Sequence, residues 1–228
     1  MFVLRIILTA ALAGITTVGL SRLIDLLYSR EKTELSFPEE KRSRAVLRLP
    51  LLFVGCAAAY FGVDASYPAA GIFNLCFYLT LLFISITDWE QYIIFDSAVM
   101  FLAAAGIVQS LLKSYMPDCL ALPPGMPVPP PEPLESLLTG LAAGGIMLLL
   151  AVVLKGSIFG GDIKLITALG MWLGAGYTSS AVAFGFLLGG LAAVVLLIAT
   201  KKKKDEFFAY GPYFAIAAAI VRATGITL

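Results

Sequence analysis

The 228-residue chain contains no histidine and only three cysteines, Cys56, Cys76 and Cys119, which show no CxxC spacing. Without histidine, a Ser-His-Asp triad, a Cys-His dyad and a histidine-ligated zinc protease site are all excluded. The number and spacing of the cysteines indicate neither a disulfide framework nor a zinc site. Any chemistry must therefore depend on carboxylates, lysine, hydroxyl groups or the isolated thiols.

Charged residues are also scarce, at 14% of the chain against 60% hydrophobic residues. A soluble domain would carry about 25% charged residues. A nucleic-acid-binding domain would need a basic face, whereas the formal net charge here is +1. The apolar blocks have roughly the 17–25 residues that cross a ~30 Å hydrocarbon layer as a helix, and no strand-like alternation is present. The composition predicts an all-α integral membrane protein, a polytopic helical bundle.

Eight apolar segments predict about eight transmembrane helices. They lie near residues 2–20, 49–63, 69–87, 97–112, 134–154, 163–177, 178–199 and 209–226. Gly174 and Gly176 interrupt the sixth segment, and the polar residues 178–180 begin the seventh. The first segment has no clear cleavage site and is followed by positive charges, so we expect it to be a retained span rather than a signal peptide.

The distribution of lysine and arginine predicts the orientation, because cytoplasmic loops hold the excess. Seven of these residues lie within 21–48, four within 201–204 and one at Lys155, whereas residues 88–96 have none. Eight helices with both termini outside place all three positive regions on one side, which we expect to be the cytoplasmic face of the inner membrane. Residues 88–96 then also face the cytoplasm.

Prolines and glycines predict two structural features. Residues 117–133, here called the proline-rich connector, contain eight of the twelve prolines and are expected to form an extended, non-helical segment outside. Glycines at four-residue spacing predict close helix packing. These pairs are Gly140 and Gly144, Gly170 and Gly174, and Gly185 and Gly189.

Acidic residues at the ends of predicted spans require an explanation, since ionisable groups near a bilayer are costly. Asp88 ends the third span, and Asp162 precedes the sixth directly after Gly160 and Gly161. Both lie on the predicted cytoplasmic side, so two carboxylates from separate helices can converge on one water molecule. One carboxylate can take a proton from water while the other, protonated, polarises a peptide carbonyl. The glycines allow an extended peptide backbone to approach Asp162. This pattern supports peptide hydrolysis without a metal.

The same residues also have purely structural interpretations. Asp162 and Asp96 can cap the helices that follow them. Asp88 beside Trp89 can mark an interfacial aromatic belt, and Lys164 can snorkel or pair with an acid.

Two other functions stay open. A small transporter could use Asp88 and Asp162 to relay protons or bind a cation, although such acids usually lie near the membrane midplane. A non-catalytic assembly scaffold is the other alternative.

Three motifs, taken together, resemble those of the type IV prepilin peptidases. The sequence GGDIKL at residues 160–165 resembles the family's GxGD region, with Phe159 in place of its first glycine. Asp88 is followed, after six residues, by Phe95 and Asp96. This segment is similar to the one in the family that begins with the first catalytic aspartate, except that the family has proline where this chain has Phe95. The sequence YGPYFA at residues 210–215 is similar to the family's motif near the last span.

The resemblance implies an aspartic-type membrane endopeptidase with Asp88 and Asp162 as its catalytic residues. Its substrates would be prepilins and pseudopilins, whose short basic leader is cleaved on the cytoplasmic side just before a hydrophobic helix. We expect supporting or substrate-binding roles for other residues of the two motifs. These are Gly160, Gly161, Lys164, Glu90 and Asp96. We expect the negative charges of Glu90 and Asp96 to attract the basic leader.

Bacterial members of that family often carry paired CxxC motifs between the first two spans, linked to N-methylation of the product. Residues 21–48 contain no cysteine. We therefore expect residues 1–63 to be a reduced, cysteine-less two-helix region with a short basic cytoplasmic loop, and residues 64–228 to be the peptidase domain. We expect no metal and no cofactor, with S-adenosylmethionine required only if methyltransferase activity is retained. The expected partners are the precursor and the lipid bilayer, and no nucleic acid.

Overall fold

The computed structural model describes residues 2–30, 41–154, 159–200 and 208–227, and these residues form eight α-helices. In chain order they are α1 Phe2–Arg30, α2 Lys41–Phe61, α3 Pro68–Gln91, α4 Asp96–Tyr115, α5 Pro133–Val153, α6 Gly160–Leu173, α7 Ala175–Thr200 and α8 Gly211–Thr224. Five of them, α1, α3, α4, α5 and α7, are long and apolar enough to cross a membrane. The predicted class is confirmed, and the chain is a multi-pass helical membrane protein.

Helix α6 is the central helix of the bundle although it has only 14 residues. It packs against α4, α5, α7 and α8, and its Leu165, Ile166 and Trp172 are completely buried. The Trp172 indole N–H donates to the carbonyl of Leu102 on α4, and its ring lies 5.0 Å from that of Phe77 on α3. Packing around α6 therefore fixes the position of its first turn, which carries Asp162.

The predicted end of the first helix near residue 20 is wrong, because α1 continues to Arg30. No glycine or proline interrupts residues 20–30, and Ile24 and Tyr28, one turn apart, are buried against the bundle. Part of the predicted basic loop is thus helical, and α2 begins at Lys41. The rest of that loop, residues 31–40, and the predicted charges at Lys155 and 201–204 lie outside the described residues.

The predicted boundary between the sixth and seventh helices is also wrong, because the break lies at Gly174. This residue has φ = +74°, a conformation that favours glycine, and a methyl group there would lie 2.7 Å from Glu135 Oε1. The Thr178 hydroxyl donates to the Gly174 carbonyl at 2.6 Å. The polar residues therefore belong to the first turns of α7, and Gly176 lies inside that helix.

Successive helices run antiparallel and give the bundle two ends. At one end Arg5, near the start of α1, donates to the Phe61 and Val63 carbonyls at 2.7 and 3.2 Å. The other end, here called the carboxylate end, contains Asp88 and Asp162. The start of α1 and the end of α8 both lie at the end opposite the carboxylates.

The proline-rich connector is non-helical up to residue 132, as predicted. Side chains from α4 and α8 hold its carbonyl groups: Lys113 donates to Pro130 at 2.7 Å, and Arg222 donates to Val128. Arg222 is only 3% exposed and also donates to Asn74 Oδ1 at 3.0 Å. These bonds hold the connector against the ends of α4 and α8 and the start of α3, on the side of the bundle opposite the carboxylate end.

The predicted close packing at glycines is confirmed most clearly between α5 and α6. A methyl group at Gly170 would lie 2.8 Å from the Cα atom of Gly140, and one at Gly140 would lie 2.9 Å from the Thr167 carbonyl oxygen. Backbone thus contacts backbone at this crossing, as expected where small residues allow helices to approach.

We expect Gly170→Ala to lower the free energy of unfolding by about 1–3 kcal/mol, because the added methyl meets backbone that cannot rotate away. Thermal unfolding of the purified protein in detergent measures the effect. Gly145→Ala in α5 is the matched control, since nothing lies within 4 Å of its added methyl. Equal stability of the two variants would show that the α5–α6 crossing tolerates a side chain.

Candidate active site

Asp88 lies on the last turn of α3 and is only 6% exposed. The backbone N–H of Gly211 donates to Asp88 Oδ2 at 2.9 Å. Gly211 is the first residue of α8, so its N–H has no acceptor within its own helix, and the positive end of the helix dipole favours a carboxylate there. A methyl group at Gly211 would lie 2.7 Å from the same oxygen. The absence of a side chain therefore allows α8 to contact Asp88 directly.

Asp162 lies in the first turn of α6, three residues after Phe159, which occupies the N-cap position. The interpretation of Asp162 as the cap itself is therefore wrong. Asp162 is 5% exposed.

Asp88 and Asp162 line one cavity of about 330 Å³ at the carboxylate end. The structure thus brings together the two acids that the sequence singled out, which lie on different helices and 74 positions apart in the chain. Four other predicted site residues line the same cavity, namely Gly160, Gly161, Lys164 and Asp96. The remaining lining residues are Tyr92, Ile93, Ile94, Phe159, Phe208 and Tyr210.

Ile94, in the segment between α3 and α4, packs between the first turns of α6 and α8. A methyl group at Gly161 would lie 3.0 Å from Ile94 Cβ, and one at Gly211 would lie 3.2 Å from Ile94 Cδ1. By contrast, Gly160 has no atom within 4 Å of the position where a methyl would lie. Gly161 therefore has a packing role, whereas Gly160 leaves open space beside the cavity.

Tyr92 reverses the chain directly after α3. Its φ of 57° and ψ of 34° are left-handed, and its N–H donates to the Asp88 carbonyl at 2.9 Å. This conformation costs a residue other than glycine about 1–3 kcal/mol. After the reversal, Ile93 and Ile94 line one side of the cavity.

Asp96 and Lys164 form an ion pair at the edge of the cavity. Lys164 Nζ lies 2.7 and 2.8 Å from the two oxygens of Asp96, and the side chains are 54% and 65% exposed. Asp96 is the first residue of α4, and Phe95 occupies the N-cap position. Of the structural alternatives, lysine pairing with an acid is confirmed and capping by Asp96 is wrong. An exposed pair of this kind contributes at most about 1 kcal/mol.

Glu90 is the predicted site residue that the structure does not bring into this cavity. It is 2% exposed, and Arg48 Nε and Nη2 each donate to one of its oxygens at 2.6 Å. The Tyr28 hydroxyl donates to it at 3.2 Å, and Arg48 also pairs with Asp25 at 2.9 Å. The charge of Glu90 is therefore neutralised between α1, α2 and α3.

The family model of the type IV leader peptidase family matches residues 75–198, more than half of the chain. The chain belongs to the type IV leader peptidase family. The resemblance inferred from its motifs is thereby confirmed, and this leader peptidase family member is a membrane peptidase. The match includes Asp88 and Asp162 and lies within the predicted 64–228 region. No curated protein and no solved structure matches the chain.

Two residues of this peptidase that lie near the site and outside the matched range were not predicted from the sequence. Gly211, the backbone donor to Asp88, was noticed only as part of a motif, although a Gly-Pro pair at the start of a helix does signal unpaired N–H groups. Arg48, the partner of Glu90, was counted only as a loop charge. Its position at the start of an apolar segment was the available signal for a buried ion pair.

Proposed function

We propose that this chain is an aspartic endopeptidase that removes the basic leader from type IV prepilin or pseudopilin precursors at the cytoplasmic face of the inner membrane. The observation that carries the proposal is the location of two buried carboxylates, Asp88 and Asp162, in one cavity at one end of the bundle. Membership of the leader peptidase family supports the peptidase activity and the substrate class.

In the proposed reaction, a water molecule binds between the carboxyl groups of Asp88 and Asp162. Two buried carboxylates that face one cavity favour a state in which they share one proton. The ionised group takes a proton from the water as its oxygen attacks the scissile carbonyl carbon, while the protonated group donates to the carbonyl oxygen. Transfer of a proton to the peptide nitrogen then allows the C–N bond to break, which releases the leader as a carboxylic acid and the product with a free amine.

Residues around the acids support binding of an extended, basic peptide. Open space beside Gly160 allows a backbone to pass close to Asp162. Asp96 is 65% exposed at the cavity edge and can attract a positively charged leader, whereas Glu90 is already paired with Arg48. Helix α1 ends and α2 begins at the carboxylate end. The sequence has seven lysines and arginines within residues 21–48, and this excess of positive charge favours a cytoplasmic location for the cavity.

Co-expression with a pilin-type precursor tests the proposed function. We expect the wild-type protein to shorten the precursor on an immunoblot, and mass spectrometry of the product to show a cut directly before the hydrophobic helix and an unmethylated N-terminus. Precursors with several different leaders should be used. If none is shortened while the protein is present in the membrane fraction, the proposed activity is wrong.

Gly211→Ala is expected to reduce the cleavage rate by about 10²-fold, since displacing a catalytic group by about 1 Å has an effect of this size. The backbone N–H is retained, but the added methyl lies 2.7 Å from Asp88 Oδ2 and must displace it. Initial rates with purified protein measure the loss. Gly190→Ala in α7, where the added methyl has no neighbour within 4 Å, should keep the wild-type rate. Equal rates for both variants would contradict the role of the Gly211 contact.

A further inference from the structure

A second cavity, of about 700 Å³, lies between α2, α3 and α8, and residues 123–127 of the proline-rich connector also line it. In the part of the chain that the structure describes, α2 and α8 each pack against α3 and make no contact with each other. The cavity is therefore a groove that opens sideways between these two helices, in the direction of the surrounding lipid. We call it the α2–α8 groove.

The floor of the α2–α8 groove leads to Asp88. On α3 it is lined by residues spaced three or four apart, which share one face of a helix: Asn74, Tyr78, Leu81 and Ser85. Asp88 follows three residues after Ser85 and continues this face. On α8 the lining residues Ala215, Ala219 and Arg222 continue the face that begins at Gly211. The seam between α3 and α8 therefore ends at the hydrogen bond from Gly211 to Asp88.

The dimensions and chemistry of the groove suit an apolar helix. From Asn74 to Asp88, α3 rises about 21 Å, which is most of the ~30 Å thickness of a hydrocarbon layer. The α2 wall consists of the small residues Gly55, Ala58 and Ala59, so a helix backbone can approach closely. The polar side chain of Arg222, at the end far from Asp88, is already bonded to Val128 and Asn74.

We propose that the α2–α8 groove binds the hydrophobic helix of the precursor. This inference rests on the proposed function, which requires the scissile bond to lie at Asp88 and Asp162 directly before that helix. A helix that enters sideways from the bilayer between α2 and α8 and lies along the α3–α8 seam brings its first residues to Asp88. The leader then continues into the carboxylate cavity.

A second apolar groove, of about 470 Å³ between α1, α3 and α4, is the competing location. Its α3 lining includes Cys76, Leu79 and Phe83. Phe83 and Asp88 are five residues apart, so they point about 140° away from each other around the helix axis. A helix bound there would direct its end away from the carboxylates, which favours the α2–α8 groove.

Site-specific photocrosslinking tests the docking site without relying on catalysis. Benzoylphenylalanine replaces Ile216 in the α2–α8 groove or Phe101 in the competing groove, in full-length Asp88→Asn protein co-expressed with the precursor. The two positions are matched, because each lies five residues after the start of its helix at the carboxylate end. Their exposures, 49% and 51%, are also alike.

We expect an adduct with the precursor from position 216 and none above background from position 101. A precursor truncated after its leader, which lacks the hydrophobic helix, should give no adduct. An adduct from position 101 alone, or no protein adduct from either position while the wild-type protein cleaves the same precursor, would overturn the docking site and leave the proposed function intact. Failure of the wild-type protein to cleave would instead overturn the proposed function, and this inference with it.

Discussion

Replacing Asp88 or Asp162 with asparagine is expected to abolish precursor cleavage, with a rate loss of about 10⁴-fold or more, as for removal of single catalytic groups in other proteases. Asparagine has nearly the same size, but it can neither take a proton from water nor supply a carboxylic proton. Because the two acids act as one unit, the double variant should be no slower than either single variant. Cleavage of a co-expressed precursor, followed by immunoblotting and mass spectrometry, measures the effect.

The matched control is Asp118→Asn, the same change at an exposed residue of the proline-rich connector, far from the cavity. It should cleave like the wild type, and all variants should reach the membrane fraction in equal amounts. If Asp88→Asn or Asp162→Asn processes the precursor at the wild-type rate, the two-aspartate mechanism is wrong. If Asp88→Asn and Asp162→Asn fail to cleave while Asp118→Asn cleaves normally, loss of the catalytic acids and not loss of folding explains the result.

Arg48→Met is expected to lower the free energy of unfolding by about 3–5 kcal/mol, because it leaves a buried carboxylate without its cation. Glu90 is 2% exposed, and both of its oxygens accept hydrogen bonds from Arg48 at 2.6 Å. Only the weaker bond from Tyr28 at 3.2 Å would remain. Thermal unfolding in detergent should show a midpoint lower by about 10 °C.

Two further variants separate the ion pair from a general loss of charge. Arg22→Met makes the same change at an exposed position of α1 and should alter the stability by no more than about 0.5 kcal/mol. The double variant Arg48→Met/Glu90→Met removes both charges and should regain much of the lost stability, since an apolar pair of similar volume can replace a buried ion pair. A double variant that is as unstable as Arg48→Met would mean that packing, rather than the unpaired charge, carries the effect.

The helix content was predictable because apolar segment length is a local property of the chain. The two errors arose at helix ends. Residues 20–30 looked like a loop because they are charged, yet burial of Ile24 and Tyr28 extends α1. Gly174 and Gly176 are equally able to break a helix by residue type, and the break lies at Gly174, where φ is +74° and little space is left beside Glu135.

The pairing of Asp88 with Asp162 was predictable because antiparallel helices bring alternate helix ends to the same side of a bundle. The backbone donor Gly211 was harder to predict, because the Gly-Pro pair signals unpaired N–H groups at a helix start but does not identify the carboxylate on another helix that accepts from them. The packing of Ile94 between α6 and α8 was equally difficult to predict, because it depends on two glycines from different helices, Gly161 and Gly211, that both contact this side chain.

By itself, the sequence determined that this is a helical membrane protein with two acids at one end of its bundle, because hydropathy and spacing act along the chain. Only the tertiary structure decided the different environments of Asp88 and Glu90. The two residues are separated by about 200° around α3, so one faces the cavity beside α8 and the other faces Arg48 on α2. The rotation of α3 about its axis decides which residue faces which neighbour, and this rotation is set by the packing of α3 against the surrounding helices.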